Sequence, residues 1–217
     1  MSNCAYCQAK GCYKDDFSNV PSDCPSILTS HEEILAGYSE EEKKAIPLVA
    51  LVYAEGARMT NRIEETMDYA YKMGYKKIGV AFCSGLAKEG EALCKVLKSN
   101  GFFTQSICCK YGGVHKSEYG ISADQQVNPS AEQEICCNPA GQAQVLDAAG
   151  VDFVIMLGLC VGHDTIFIKH LKAPMTVIGV KDRLLIHNPV AALQSADKYM
   201  VRMHSFIENK YGKTAWE

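Results

Sequence analysis

A chain of 217 residues can bury one sizeable core and carry a small appendage, but it is short for two full domains. Its 47% hydrophobic and 22% charged residues are those of a globular protein, and a formal net charge of -3 supplies no field for nucleic acid or an anionic membrane, so the expected partner is small. Met1 is followed by Ser2-Asn3-Cys4, without the basic and apolar regions of a secretory signal, and the longest apolar stretch, Ile46 to Ala54, is too short to span a bilayer. A cytoplasmic protein is expected, and Ile46 to Ala54 reads as a buried helical segment.

Residues 1–30 hold four cysteines with Pro21 and Pro25 and have little apolar periodicity, which marks a head that needs a metal to hold it. The rest of the chain, 31–217, reads as a helical segment followed by a Rossmann-like domain. Ser30 and Glu33 form a capping box, so a helix starts at His31, and an apolar helix follows from about Pro47. Ile63, Met67, Ala70 and Tyr71 recur at helical spacing up to Gly74, a C-cap.

From Lys76 the pattern alternates. Strands are expected over Ile78 to Phe82, Phe103 to Cys109, Asp152 to Leu157 and Met175 to Val180. Helices are expected over Leu86 to Ser99, Pro139 to Ala149, Asp164 to Leu171 and Pro189 to about Lys210. Strands alternating with helices over short connections predict an α/β fold, a parallel sheet of about four strands covered on both faces and wound with right-handed crossovers. One connection, Lys110 to Asn138, is long and carries Gly112, Gly113, Gly120 and Pro129; such a segment is a candidate lid.

Eleven cysteines in a reducing compartment point to metal ligands or reactive thiols rather than disulfides. Cys94, inside the helical run Glu91 to Leu97, reads as a core thiol. The head has the spacing Cys4-x2-Cys7-x4-Cys12-x11-Cys24-Pro25, a four-thiolate set that suits zinc or an iron-sulfur cluster, with a redox dithiol behind it. Its Cys-Pro ending tilts the choice toward a cluster, although the other spacings depart from the ferredoxin motif.

A second group follows from the strands. Cys83 and Cys160 come just after the first and third, one of Cys108 and Cys109 ends the second, and one of Cys136 and Cys137 precedes the helix at Pro139. In a parallel sheet these positions share the carboxyl edge, where open α/β folds bind ligands at the strand-order switch. With strand order 2-1-3-4, the crevice opens between the strands ending near Cys83 and Cys160. Ser84-Gly85 opens a helix there after Cys83, and its free N–H groups would lower a thiol pKa or receive an anion. His163 is a candidate metal ligand, acid/base or structural histidine. Asp164 and Asn188, the latter before Pro189, read as helix caps, while Lys181, Asp182 and Arg183 read either as site residues or as an ion-pair network. No dinucleotide or P-loop glycine motif is present.

These stretches resemble the DUF1847 family of predicted metal-binding proteins. The matching residues are Cys4, Cys7, Cys12 and Cys24-Pro25, Gly79 to Leu86, Cys137-Asn138-Pro139 with Gln142, and Gly158 to Asp164. Lys181-Asp182-Arg183 and His187-Asn188-Pro189 complete the likeness, which covers nearly the whole chain. The resemblance implies metal binding without a settled reaction, and within the doublets it selects Cys109 and Cys137.

Three functions are consistent with these readings. In the first, the protein carries one or two iron-sulfur clusters, 4Fe-4S in type, one on Cys4, Cys7, Cys12 and Cys24 and one on Cys83, Cys109, Cys137 and Cys160. The second cluster would meet a small ligand or an electron-transfer partner, with His163, Lys110, Lys181, Asp182 and Arg183 as catalytic candidates. The second function is non-catalytic zinc binding for sensing or delivery. The third is thiol redox chemistry with Cys83 as the low-pKa nucleophile.

Overall fold

The computed structural model describes residues 3–56, 59–128 and 134–212. The chain divides into two compact units, 1–57 and 58–217. Among the described residues no helix is long and apolar enough to cross a membrane.

In the first unit, two 3-10 turns, Cys4–Tyr6 and Gly11–Tyr13, precede three helices, α1 (Pro25–Leu28), α2 (His31–Ala36) and α3 (Glu40–Gly56). Ser30 and Glu33 close the predicted capping box on α2, which holds the Glu33 carboxyl below its usual pKa range. A second such box shifts the next helix from its expected start. The Ser39 N–H donates to Glu42 at 2.7 Å and the Glu42 N–H to the Ser39 hydroxyl at 3.3 Å, so α3 begins at Glu40 and Pro47 lies inside it. Within the run expected to be buried, only Val52 is; Ile46, Val49, Leu51 and Tyr53 are exposed.

The second unit opens with α4 (Arg62–Met73), capped by Asn61 and Glu64 and ended by Gly74 in the left-handed region at φ 79. Then follow β1 (Lys77–Phe82), α5 (Ala87–Ser99), β2 (Phe103–Cys108), α6 (Pro139–Ala148), β3 (Phe153–Leu157), α7 (His163–His170) and β4 (Met175–Gly179). All pairings are parallel, as the alternation predicted, and the order is β2-β1-β3-β4, the one supposed for the crevice.

Side chains alternate across this sheet. Ile78, Val80, Phe153, Ile155 and Leu157 pack with Ala70 of α4 and Leu93 and Leu97 of α5. On the opposite face Ala81, Val154 and Met156 pack with Ala143 and Leu146 of α6 and Phe167 of α7. Gly79 permits that second layer: a Cβ there would stand 3.0 Å from Val154 and 3.2 Å from Leu146. The Asp152 carboxylate accepts from the N–H groups of Lys76 and Lys77, each at 2.8 Å, and so sets the start of β1 against β3. Arg62 ties α4 to β4 through the Val177 carbonyl and the Thr176 hydroxyl, both at 2.9 Å.

The closing segment departs from the single helix expected after Pro189. It forms α8 (Val190–Gln194), a 3-10 turn over Val201–Ser205 and α9 (Phe206–Tyr211). Ser195 breaks it: its hydroxyl donates back to the Ala191 carbonyl at 2.8 Å, while its own carbonyl accepts from Lys198, Tyr199 and Met200. Neither expected cap has the predicted form. Pro189 is the N-cap of α8, with no side-chain bond from Asn188, and Gly162 is the N-cap of α7, with Asp164 one residue inside.

Leu146→Ala, which removes a side chain with no exposure, is expected to cost about 2–5 kcal/mol in urea unfolding. Val161→Ala, at 91% exposure, is expected to change stability by less than about 0.5 kcal/mol.

Candidate metal centre

Main-chain bonding continues past the ends of the strands and fixes what stands at the carboxyl edge. The Cys83 N–H donates to Leu157 at 3.1 Å, Cys109 N–H to Phe82 at 2.9 Å, and Lys181 N–H to Leu159 at 3.2 Å. Cys83, Cys109 and Lys181 therefore leave the sheet in register, and Cys160 follows Leu159.

Cys137 arrives by a different route. The 110–138 connection is zipped at its base, where Asn138 N–H donates to Cys109 at 2.8 Å, Cys136 N–H to Val114 at 2.7 Å and Lys116 N–H to Glu134 at 2.8 Å. A bridge between His115 and Ile135 and an ion pair between Lys116 and Glu134 complete the zip. This pairing sets the Cys137 and Cys109 sulfurs 3.7 Å apart. Among the described residues Cys108 and Cys136 make no such contact.

One side chain bolts the layer beneath. Gln142, fully buried on α6, donates through Nε2 to the Phe82 carbonyl at 3.3 Å and the Ile107 carbonyl at 2.9 Å. It thus links the segments that deliver Cys83, Cys109 and Cys137. The chain signals this role only as a polar residue on an otherwise apolar helix face, and no role was assigned to it from sequence.

The three thiols form a hydrogen-bonded row with graded acidity. Cys83, donor to Cys109 and desolvated, is pushed up to about 12 despite the Gly85 N–H and the Lys181 charge. Cys109 is raised by its bond to Cys137, while Cys137, sharing that bond and facing Lys110, is brought down to about 7. The expected low-pKa thiol at Cys83 is therefore corrected to Cys137. The N–H of Ser84 does reach a thiol, but that of Cys109, at 3.3 Å. Cys160 lies within electrostatic range of Cys137 and receives the Arg183 guanidinium at 4.0 Å. Cys94 stays apart, half-buried on α5 beside Ser106.

The remaining candidates divide by partner. Lys110 Nζ donates to the Ile135 carbonyl at 2.5 Å beside Cys137. Lys181 Nζ hangs over Gly85, 2.8 Å from where a Cβ would be, with the Cys83 sulfur 3.9 Å from the same point. Asp182 instead accepts from the N–H groups of Leu184 and Leu185, both at 2.9 Å, and shapes a turn in which Ile186 and His187 are left-handed at φ 50 and 64. No ion pair joins Lys181, Asp182 and Arg183 among the described residues, which removes the network reading. His163 Nδ1 is buried without a partner there.

In the first unit, Cys4, Cys7 and Cys24 line a cavity of 380 Å³, and the Lys10 N–H approaches the Cys7 sulfur at 3.5 Å. Cys12 does not line it. Gly11 beside it is required, since a Cβ would fall 2.4 Å from the Asp16 carbonyl oxygen.

Among the described residues no three His, Cys, Asp or Glu side chains close around one point at coordination spacing. The donor set at the edge is nevertheless all sulfur, which suits zinc, copper(I) or an iron-sulfur cluster. The 3.7 Å S···S contact fits two ligands of one tetrahedral zinc, for which a bond of about 2.3 Å sets sulfurs about 3.8 Å apart.

Residues 24–178 match the family model described as a protein of unknown function (DUF1847). The uncharacterised protein MJ0455 of Methanocaldococcus jannaschii is 38% identical over 200 residues, 92% of this chain and 96% of that one. Two crystal structures of Dph2 from Pyrococcus horikoshii, one with a 4Fe-4S cluster, align at 15% and 16% identity with TM-scores of 0.36 and 0.35. Those alignments cover 66% and 70% of this chain but only 32% and 39% of the Dph2 chains.

In metal-free protein, iodoacetamide is expected to label Cys137 first, at a rate that rises with pH through a midpoint near 7, and Cys83 last. Peptide mapping after short pulses at several pH values checks the order; faster labelling of Cys83 would contradict the row. Gln142→Leu is expected to lower stability by about 1–3 kcal/mol and to bring Cys83 labelling forward.

Proposed function

This chain belongs to the DUF1847 family, and we propose that it is a metal-thiolate protein whose sheet edge holds an iron-sulfur cluster on Cys83, Cys109, Cys137 and Cys160. The observation that carries the reading is the row of thiols delivered by separate segments to one edge, with N–H groups and cations directed at sulfur. Ser84 N–H meets Cys109, Gly85 N–H meets Cys83, and Lys110, Lys181 and Arg183 stand beside Cys137, Cys83 and Cys160. Hydrogen bonds to sulfur and nearby charge are the means by which a protein tunes such a cluster.

Three thiolates on the cluster would leave one iron open to a small ligand, and four would leave electron transfer. The chain's own part is to orient the sulfurs, exclude water beneath them through Gln142 and the apolar layer, and offset thiolate charge. A second centre, on Cys4, Cys7 and Cys24 with Cys12 as fourth ligand, belongs to the same proposal, as does a cytoplasmic setting that keeps thiols reduced. Zinc is the second reading for the sheet edge, favoured by the 3.7 Å Cys109 to Cys137 contact.

Anaerobic purification followed by iron, zinc and acid-labile sulfide analysis tests both readings. A brown protein is expected that loses part of its iron in Cys83→Ser and Cys137→Ser, a separate part in Cys4→Ser and none in Cys94→Ser. Colourless protein holding only zinc selects the second reading; metal-free protein refutes both.

A further inference from the structure

Two of the edge sulfurs already stand as a pair. Cys109 and Cys137 hold their sulfurs 3.7 Å apart across 28 residues of chain, and the Asn138 N–H bond to the Cys109 carbonyl, at 2.8 Å, lays the two backbones side by side. Backbones that close are what a disulfide needs, since its Cα atoms stand about 4.4–6.8 Å apart and its sulfurs about 2.05 Å apart. Both residues lie outside the regular elements, Cys109 one residue past β2 and Cys137 two residues before α6. The remaining closure therefore asks for side-chain rotation and a small shift of loop backbone, not for displacement of a strand.

The other pairings each lack a condition. Cys83 touches Cys109, but both are buried, at 6% and 3% exposure, and both are tied by their N–H groups to neighbouring strands, so a soluble oxidant reaches neither first. Cys160 is within electrostatic range of Cys137 but has no bonded contact with it among the described residues, and its sulfur faces Arg183. Within the row of three, Cys137 alone is half-buried and open to a reagent from solution. In the reducing setting proposed above, a disulfide is transient and serves sensing or catalysis rather than permanent stapling.

We propose that Cys109 and Cys137 are a reversible dithiol–disulfide switch that decides whether the sheet edge can hold its metal. The oxidant is a low-molecular-weight disulfide. The Cys137 thiolate attacks one of its sulfurs, the S–S bond breaks, and the first small thiol leaves with the proton that Cys137 gave up. Cys109 then attacks the Cys137 sulfur of the mixed disulfide, and its proton goes to the second small thiol as that leaves. Two protein sulfurs are oxidised and two small-molecule sulfurs reduced, with two electrons and two protons passed between them. Only a thiolate binds metal, so the step withdraws two of the four proposed ligands together, and metal held by both sulfurs shields them in turn. Each bond, direct or through metal, joins the same two ends of the 110–138 connection, so oxidation empties the edge without releasing that connection. The inference rests on the metal-centre reading for its consequence and on geometry alone for the pair.

The test takes anaerobically purified full-length protein, one portion as isolated and one stripped by a chelator, through exposure to oxidised glutathione. Non-reduced peptide mapping then reads the 109–137 link apart from anything formed in the head, with metal analysis of every sample. Stripped protein is expected to form the link, and metal-loaded protein to form it about tenfold or more slowly. Dithiothreitol is expected to restore both the thiols and metal uptake. The link is expected to persist in Cys108→Ser/Cys136→Ser, which removes the two adjacent thiols. Cys109→Ser is expected to stop at a glutathione adduct on Cys137, and Cys137→Ser to leave Cys109 without one. Stripped wild-type protein that forms no link, or that joins Cys109 to Cys83 instead, overturns the proposal even where the metal content before stripping was full. A link formed in loaded protein with its metal retained also overturns it. A reversible link in protein isolated free of metal supports the pair and refutes the centre.

Discussion

The parallel pairing of β1 on both of its sides is the constraint on which the functional edge depends. Because β2 and β3 run in the same direction as β1, all three strands end together, and each must empty into a connection that leads back through a helix. Cys83, Cys109 and Cys160 are therefore delivered to one rim by the direction of the strands rather than by bonds among themselves. The main-chain bonds that run on past the strand ends, from Cys83 to Leu157 and from Lys181 to Leu159, carry the same register outward by another residue or two.

Charge at that rim is sorted by partner. The acids Asp164 and Asp182 accept from backbone N–H groups, while Lys110, Lys181 and Arg183 lean toward sulfur. Within the thiol row contact between neighbours moves their acidities in opposite directions: Cys109 raises Cys83, while the bond between Cys109 and Cys137 raises the first and lowers the second.

Much of this was legible from the residues, for local reasons. Strands such as Phe153–Leu157 are short apolar runs between turn signals, and a cysteine just after such a run is placed by strand direction alone. What was hidden depends on competing local signals and on distant partners. The start of α3 turns on Ser39 meeting Glu42, outcompeting the signal of Pro47, and the closing helix is interrupted by a serine that bonds its own backbone. Choosing between Cys136 and Cys137 requires the Asn138 to Cys109 bond, which residue spacing cannot reveal. The acidity of Cys83 was misjudged because the helix-start N–H of Gly85 that meets it is outweighed by the Cys109 thiol, 26 residues away, and by desolvation. Gln142 was singled out only through the family resemblance, and its role stayed hidden because one amide in an apolar helix looks like tolerance until both carbonyls it bridges are known.

The zipped base of the connection has a thermodynamic consequence. Cys109 and Cys137 are 28 residues apart and their sulfurs nearly touch, so an ion or cluster held by both acts as a cross-link across that segment. Closing a loop of this length in the unfolded chain removes about 3–4 kcal/mol of conformational freedom. Occupancy of the edge and order of the segment are then linked quantities, each favouring the other. A thiolate centre on this pair would thus also be a clasp between the two ends of the segment, and its loading with metal would add to the stability of the fold.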